Sequence, residues 1–145
     1  MRRPPLFSSL RIDERGTTII EFALLAPVVL GLFFGAIQIG ISMQAYNSLR
    51  GVASDTARYA VIEYMKENTI SDSAIQTKAI AIAQSSPYML NDSVAVTIVP
   101  VATPRVHGTF EKTMTITYTP PDVLPFFDFT STQMSFSRPI FVIDE

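Results

Sequence analysis

Apolar residues dominate one continuous stretch of the chain, whereas charged residues are spaced normally elsewhere. From Phe22 to Leu49, 28 consecutive residues carry no charged side chain. Because an α-helix rises about 1.5 Å per residue, this run reaches about 42 Å and exceeds the roughly 30 Å hydrocarbon core of a bilayer. We therefore predict a transmembrane helix over residues 17–46.

The pattern keeps a helical period after this stretch but becomes amphipathic. Apolar and small residues recur at steps of three and four, and polar residues occupy the opposite face. This predicts one long helix from about Thr17 to Lys66, with a break at Asn68-Thr69. The expected buried stripe is Leu49, Val52, Ala53, Thr56, Ala57, Ala60, Val61 and Tyr64, and the expected polar face is Arg50, Ser54, Arg58 and Lys66.

A second, shorter helix is expected after the break. Either Ser71 or Asp72 can cap it by accepting a backbone N–H bond, and Ser85-Ser86-Pro87 ends it. Its body, residues 74–84, is amphipathic if it buries Ile75, Ala79 and Ile82.

The remainder of the chain alternates apolar and polar positions with a period of two, as strands do. Three strands are expected: one holding Val94, Val96 and Ile98 and stopping at Pro100, one over Glu111–Tyr118 and stopping at Pro120-Pro121, and one over about Gln133–Ile143.

These elements together predict an α+β fold. A long N-terminal membrane-spanning helix continues into a small domain made of a second helix and a three- to four-stranded antiparallel meander. The expected domains are a cytoplasmic leader over residues 1–16, the transmembrane helix over residues 17–46, and an extracytoplasmic α+β domain over residues 47–145.

Charge indicates which way the helix crosses the membrane. Four arginines lie in residues 1–16, whereas only Arg50 and Arg58 follow within about 15 residues of the span. The positive-inside rule therefore places the N-terminus in the cytoplasm and the C-terminal domain outside it. The chain has no cysteine, which excludes disulfides and cysteine metal sites. The part after residue 16 is acidic, which argues against a nucleic-acid partner.

Glu21 is a carboxylate at the mouth of the apolar helix, where charge is costly. Cleavage after Gly16 would expose the α-amine of Thr17, which is mainly cationic at neutral pH. Thr17 lies one helical turn before Glu21, so in a staggered stack the amine of one subunit can meet Glu21 of the next. Two alternatives stay open. In the first, the chain is an uncut anchor and Glu21 reaches water beside Arg15. In the second, the N-terminal segment is a secretory signal peptide, although the apolar region of such a peptide is shorter than the run found here.

A ridge of small residues runs along the same helix at four-residue steps. Its members are Ala23, Pro27, Gly31 and Gly35, and the last two form a G-x-x-x-G pair that allows close helix–helix approach in lipid. We expect this ridge to be a packing face, although glycine is common in membrane helices. Pro27 is expected to bend the helix.

The outer domain offers little chemistry. The single histidine, His107, is expected in a hairpin loop with no role, Glu111 is expected on a solvent face, and Asp128 is expected in a Phe-rich loop. We find no nucleophile–base pair and no phosphate loop, so no catalytic residue, metal or cofactor is expected. The cluster Phe126, Phe127 and Phe129 is expected to be core rather than a binding patch.

The N-terminal residues resemble those of a known family. The sequence is similar to TadE-like minor pseudopilins of the bacterial tight-adherence (Flp-type IV) pilus system over about residues 15–60. The resemblance rests on Arg15-Gly16, Glu21-Phe22-Ala23-Leu24, Ala26-Pro27, Gly35 and Ala57-Arg58-Tyr59-Ala60. This chain departs from the family by having Gln38-Ile39 where members often have an acidic residue followed by phenylalanine.

The resemblance implies a minor structural subunit of an extracytoplasmic filament, active in adhesion and biofilm formation rather than catalysis. It implies an aspartyl prepilin peptidase that cuts between Gly16 and Thr17, and it makes Glu21 the assembly carboxylate. The implied partners are other pilins and pseudopilins, the peptidase, the inner-membrane assembly platform and membrane lipid. The alternatives are an uncleaved inner-membrane scaffold of the same machine and, from another class, a membrane-anchored enzyme with a polar pocket in the β region.

Overall fold

A computed structural model describes residues 15–123 and 132–143 of the chain. The elements in chain order are α1 (Arg15–Met65), α2 (Asp72–Gln84), β1 (Ala95–Pro100), β2 (Thr109–Tyr118) and β3 (Met134–Ile143). The expected α+β class is confirmed. The Phe126, Phe127 and Phe129 cluster and Asp128 lie outside the described residues.

The chain divides into two compact units. The first unit ends at Ile37, and in its described part it consists of helix α1 alone. The second unit begins at Gln38 and holds the rest of α1, α2 and the three strands.

The second half of α1 supplies one side of the core, as the periodicity predicts. Leu49, Val52, Ala53 and Ala60 are fully buried, whereas Arg50, Ser54, Arg58 and Lys66 are exposed. The helix ends at Met65, and Glu67 takes a left-handed φ of 59° as the chain turns away.

Thr56 is the exception on the buried stripe of α1. Its side chain is fully buried and its hydroxyl has no hydrogen-bond partner in the described part of the chain. Burying an unpaired hydroxyl costs roughly 1–3 kcal/mol on protein mutational scales.

We therefore expect Thr56→Val to stabilise the second unit by about 1 kcal/mol, since valine keeps the branched shape without the hydroxyl. Urea unfolding of the full chain in detergent measures this. Thr77→Val is the matched control, because Thr77 is exposed and its hydroxyl donates to the Ser73 carbonyl at 2.9 Å. Destabilisation by Thr56→Val would show that the hydroxyl has a partner.

Helix α2 is capped as expected by Ser71, whose hydroxyl oxygen accepts a hydrogen bond from the Ala74 N–H at 3.2 Å. Its buried positions are Ile75, Ala79 and Ala83. The prediction was right for the first two and only partly right for Ile82, which is half-buried and packs against the core. A helical stripe continues from Ala79 at the four-residue step, so Ala83 takes the place that Ile82 was expected to fill.

The strands form an antiparallel meander in the order β1-β2-β3. Val96 pairs with Ile116 across β1 and β2, and Ile116 pairs with Phe136 across β2 and β3. Met114 and Ile116 of β2 are fully buried in the core shared with α1 and α2. The outward face instead carries hydroxyls, such as Thr115 and Ser137, whose oxygens lie 2.9 Å apart.

The alternation of buried and exposed residues along β2 does not hold at Glu111, near the start of the strand. The prediction that Glu111 lies on the solvent face is therefore wrong. Glu111 is 2% exposed although it precedes the core-facing Lys112. The reason is a residue from the preceding loop, Arg105, which covers the outward face of the sheet at this point.

Candidate functional site: the apolar helix and its carboxylate

The first unit presents apolar side chains outward along its described length. Ile19, Phe22 and Leu24 are 70–72% exposed, which is unusual for large apolar residues in water. Within the part of the chain that the structure describes, one helix, taken from Thr17, is long and apolar enough to cross a membrane.

Glu21 lies exposed on this helix, one turn after Thr17. Its carboxylate makes no hydrogen bond or ion pair with any residue that the structure describes. Gly16 and Thr17, the expected cleavage pair, both lie within α1. Cleavage itself and the role of Glu21 in assembly remain predictions.

The small-residue ridge is open on the same helix. Ala23 and Pro27 are exposed, and α1 continues through Pro27. A Cβ atom added at Gly31 or Gly35 would meet nothing within 4 Å. Nothing in the described part of the chain covers the ridge, and its use as a packing face remains a prediction.

Gln38 opens the second unit and was not identified as a functional residue from the sequence. Its Oε1 accepts a hydrogen bond from the Val123 N–H at 3.1 Å, and its Nε2 donates to the Pro121 carbonyl at 3.4 Å. The amide therefore holds the segment after β2 against α1. The only signal in the sequence is an isolated polar residue within the long apolar run.

The Ala57-Arg58-Tyr59-Ala60 motif has mixed roles. Ala57 and Ala60 are buried in the core. Tyr59 is half-buried, and the Lys78 ammonium of α2 lies 5.3 Å from the centre of its ring. Arg58 is exposed and unpaired among the described residues. Three of the four residues thus hold α1 to the domain, and Arg58 faces outward.

Glu111 anchors the loop between β1 and β2. Its carboxylate accepts hydrogen bonds from the Arg105 backbone N–H at 2.8 Å and from Arg105 Nε at 2.7 Å, and a further bond from Nη2. The guanidinium also lies 5.6 Å from the centre of the Phe141 ring. The hydrogen bonds from the Arg105 side chain and backbone hold the pKa of Glu111 below its usual range.

This pairing predicts how stability depends on pH. Because the pKa of Glu111 is lower in the folded than in the unfolded chain, its contribution to stability is complete above the unfolded value of about 4.5. This contribution to stability is lost as the pH falls from the unfolded pKa of Glu111 through its lower pKa in the folded chain. We expect the stability difference between the natural chain and Glu111→Gln to be constant from about pH 5 to 7 and to shrink below about pH 4.

Urea unfolding at a series of pH values checks this difference. Glu67→Gln is a suitable control, since Glu67 is exposed. A difference that stays constant down to pH 3 would contradict the Glu111 assignment.

A second polar cluster joins three elements. Lys112 Nζ of β2 donates to Tyr64 Oη of α1 at 3.0 Å and to Asp72 Oδ1 of α2 at 2.6 Å. Burial lowers the pKa of Lys112, but the hydrogen bonds to Asp72 and Tyr64 outweigh it, so the net shift is upward. The cluster is structural, because it ties β2 to both helices.

His107 is exposed in the connection between β1 and β2. Within residues 15–123 and 132–143, no three histidine, cysteine or acidic side chains are grouped as a metal site. A groove of the second unit lies instead beside α1, and its lining is mostly apolar.

Comparisons with known proteins agree with the resemblance noted in the sequence. The sequence profile of the TadE-like protein family matches residues 16–58. Searches of curated proteins and of solved structures returned no significant match. The matched segment contains Gly16, Thr17, Glu21, the small-residue ridge and Arg58. Over residues 16–58 the chain is therefore similar to TadE-like proteins, which suggests a protein associated with the tight-adherence pilus.

Proposed function

We propose that the protein is a minor pseudopilin, a structural subunit that takes part in assembly of a tight-adherence type IV pilus. The observation that carries this proposal is Glu21, a carboxylate near the start of an apolar helix that has no partner among the described residues and lies within the segment similar to TadE-like proteins. A lone carboxylate at the edge of lipid is unfavourable. A partner that supplies a positive charge would therefore stabilise the assembled state over the free subunit.

The proposed partner charge is the α-amine of Thr17 on a neighbouring subunit, made by prepilin peptidase after Gly16. One turn of helix separates Thr17 from Glu21, so the pairing requires an axial offset between adjacent helices. Helices related in this way can approach closely through the ridge of Ala23, Pro27, Gly31 and Gly35, whose outward side is open. Pairing would then set the register, and the ridge would supply the contact area.

The proposed location is the bacterial inner membrane, crossed once, with the N-terminus in the cytoplasm and the C-terminal domain in the periplasm. The hydrogen bonds of Gln38 with Pro121 and Val123 favour an outer boundary near Ile37 instead of the expected residue 46, because irregular backbone is not tolerated against lipid hydrocarbon. A span over residues 17–37 would be about 31 Å long, which matches a bilayer core.

The proposed role is not enzymatic, in keeping with the structural character of TadE-like proteins. The partners would be other pilins and pseudopilins, the prepilin peptidase, the inner-membrane assembly platform and membrane lipid. The subunit would leave the membrane for an extracellular pilus only after cleavage. An uncleaved scaffold of the same machine is the alternative, in which Glu21 stays beside the arginines of its own leader.

Intact mass spectrometry of the membrane-extracted protein distinguishes the two roles. The protein is produced with and without an active prepilin peptidase. A chain that begins at Thr17 only when the peptidase is active supports the pseudopilin. A chain that keeps residues 1–16 in both cases rejects it in favour of the scaffold.

A further inference from the structure

The uncharged run of α1 is longer than a bilayer needs. From Phe22 to Leu49 it reaches about 42 Å, whereas a hydrocarbon core is roughly 30 Å thick. The bilayer can therefore shift along the helix by about 12 Å, or roughly eight residues, without meeting a charged side chain of α1. A fixed outer edge requires a polar group from another part of the fold.

The segment that follows β2 supplies polar groups next to this helix. Its five residues, which we call the strap, begin at Thr119 and end at Val123. The Ser93 hydroxyl donates to the Thr119 carbonyl at 2.7 Å. At the other end, the Gln38 amide of α1 bonds the backbone of Pro121 and Val123. The strap is therefore tied both to the start of the sheet and to α1.

The strap also carries a carboxylate. Asp122 lies between the two residues that Gln38 bonds, and it is exposed. No basic residue lies between Lys112 and Arg138 in the sequence. A carboxylate and irregular backbone are both costly in hydrocarbon. The fold thus brings a charge to the level of Gln38, although the next charged residue of α1 itself is Arg50.

We propose that the strap is a depth stop for the membrane helix. It holds the outer edge of the hydrocarbon core near Ile37, and it keeps the last part of the uncharged run, from Gln38 to Leu49, in the headgroup region and in water. The surface that the strap contacts is the headgroup layer of the bilayer. The inference rests on the proposed membrane location of α1, and it does not depend on cleavage after Gly16.

The stop determines how deep Glu21 lies. Glu21 precedes Ile37 by 16 residues, which is about 24 Å of helix. With the outer edge at Ile37, Glu21 is held about 6 Å inside a core of roughly 30 Å. With the outer edge at residue 46, about 38 Å of helix would separate it from Glu21, and the carboxylate would reach water. The strap therefore keeps Glu21 where it needs a partner charge.

Single cysteine variants can locate the membrane edge, because the chain has no cysteine of its own. The full chain is reconstituted in dioleoylphosphatidylcholine vesicles and treated with N-ethylmaleimide, which crosses bilayers and reaches both orientations. Thiols in hydrocarbon react slowly, since the thiolate is the reacting form. The reporter is Gly40→Cys, because a Cβ atom there meets nothing within 4 Å. Ser54→Cys, at an exposed position, is the reference for water, and Val29→Cys is the reference for hydrocarbon.

We expect Gly40→Cys to react within about tenfold of the rate of Ser54→Cys, and Val29→Cys to react at least about a hundredfold more slowly. Gln38→Leu should slow the reporter at least about tenfold, because the strap is released from α1 and the edge can move toward residue 46. Asp122→Leu should also slow the reporter, and it leaves the Gln38 bonds to the backbone in place.

Gln44→Leu is the matched control. It makes the same change in apolar character within the same uncharged run, but Gln44 is exposed and bonds no part of the strap. It should leave the rate of the Gly40→Cys reporter unchanged. Ala53→Cys, at a fully buried position, reports folding and should stay unreactive in each variant.

Two results would overturn the stop. If Gly40→Cys were as slow as Val29→Cys in the otherwise natural chain, the hydrocarbon would extend past the strap. If Gln38→Leu and Gln44→Leu slowed the reporter equally, the apolar character of the helix alone would set its depth. A different result would reject the proposed membrane location itself: Val29→Cys would then react as fast as Ser54→Cys.

Discussion

Replacing Gly51 by alanine is expected to destabilise the second unit by about 1–3 kcal/mol, the usual cost of an overpacked contact. A Cβ atom at this position would lie 2.6 Å from the Tyr88 hydroxyl oxygen and 2.8 Å from its Cζ. The ring cannot move away freely, because its hydroxyl donates to Asp55 Oδ2 at 2.9 Å. Urea unfolding of the full chain measures the change.

Gly40→Ala is the matched control in the same helix. A Cβ atom there meets nothing within 4 Å, so only the helix propensity changes, and alanine should be neutral or up to about 1 kcal/mol stabilising. Tyr88→Ala should relieve the clash, so the Gly51→Ala, Tyr88→Ala double variant should be less destabilised than the sum of the single variants. Additive effects would mean that Gly51 matters for another reason.

Replacing Glu21 by glutamine is expected to leave membrane insertion intact and to reduce co-isolation with other pilin subunits at least about tenfold. Glutamine is uncharged, so it enters lipid at lower cost but cannot neutralise an α-amine. The figure follows from the roughly 2.5–3.5 kcal/mol cost of a charge left uncompensated in a membrane helix, where about 1.4 kcal/mol is a tenfold change. Quantitative co-purification from membranes measures it.

Glu67→Gln again serves as the control, because Glu67 is an exposed carboxylate of the second unit. It should co-isolate normally. If Glu21→Gln also assembled normally while its leader was cut, charge pairing at Glu21 would be wrong even though the chain is processed as a pseudopilin. If neither variant nor the natural chain co-isolated with pilins, the pseudopilin role itself would be rejected.

The helices and strands were predictable because each depends on neighbours within a few residues. The three- and four-residue steps from Leu49 to Ala60 required one face of α1 to be buried, and that face is buried. Ser71 was one of two residues expected to cap α2, and it does so through a bond to Ala74, three positions on. The uncharged run from Phe22 to Leu49 likewise indicated the candidate membrane-spanning helix before any packing was known.

The wrong predictions concern side chains whose surroundings come from elsewhere in the chain. Strand alternation assigned Glu111 to solvent, because a period of two describes the strand and not the loop that folds over it. Arg105 closes that face, and its contact depends on the path of the loop through Gly108, whose φ is 76°. Ile82 was expected on the buried stripe of α2, but Ala83 is the fully buried residue there and Ile82 is only partly buried against the core.

The sequence by itself determined the order and type of the elements, the exposed carboxylate on an apolar helix and the TadE-like segment. It did so because backbone hydrogen bonding and burial repeat with short, regular periods. Only the tertiary structure decided which polar groups meet. Hydrogen bonds join Lys112 to Asp72, Tyr88 to Asp55 and Gln38 to Val123. The partners in these pairs are 40, 33 and 85 positions apart in the sequence. Such pairs depend on the fold that brings distant segments together, and no local period encodes them.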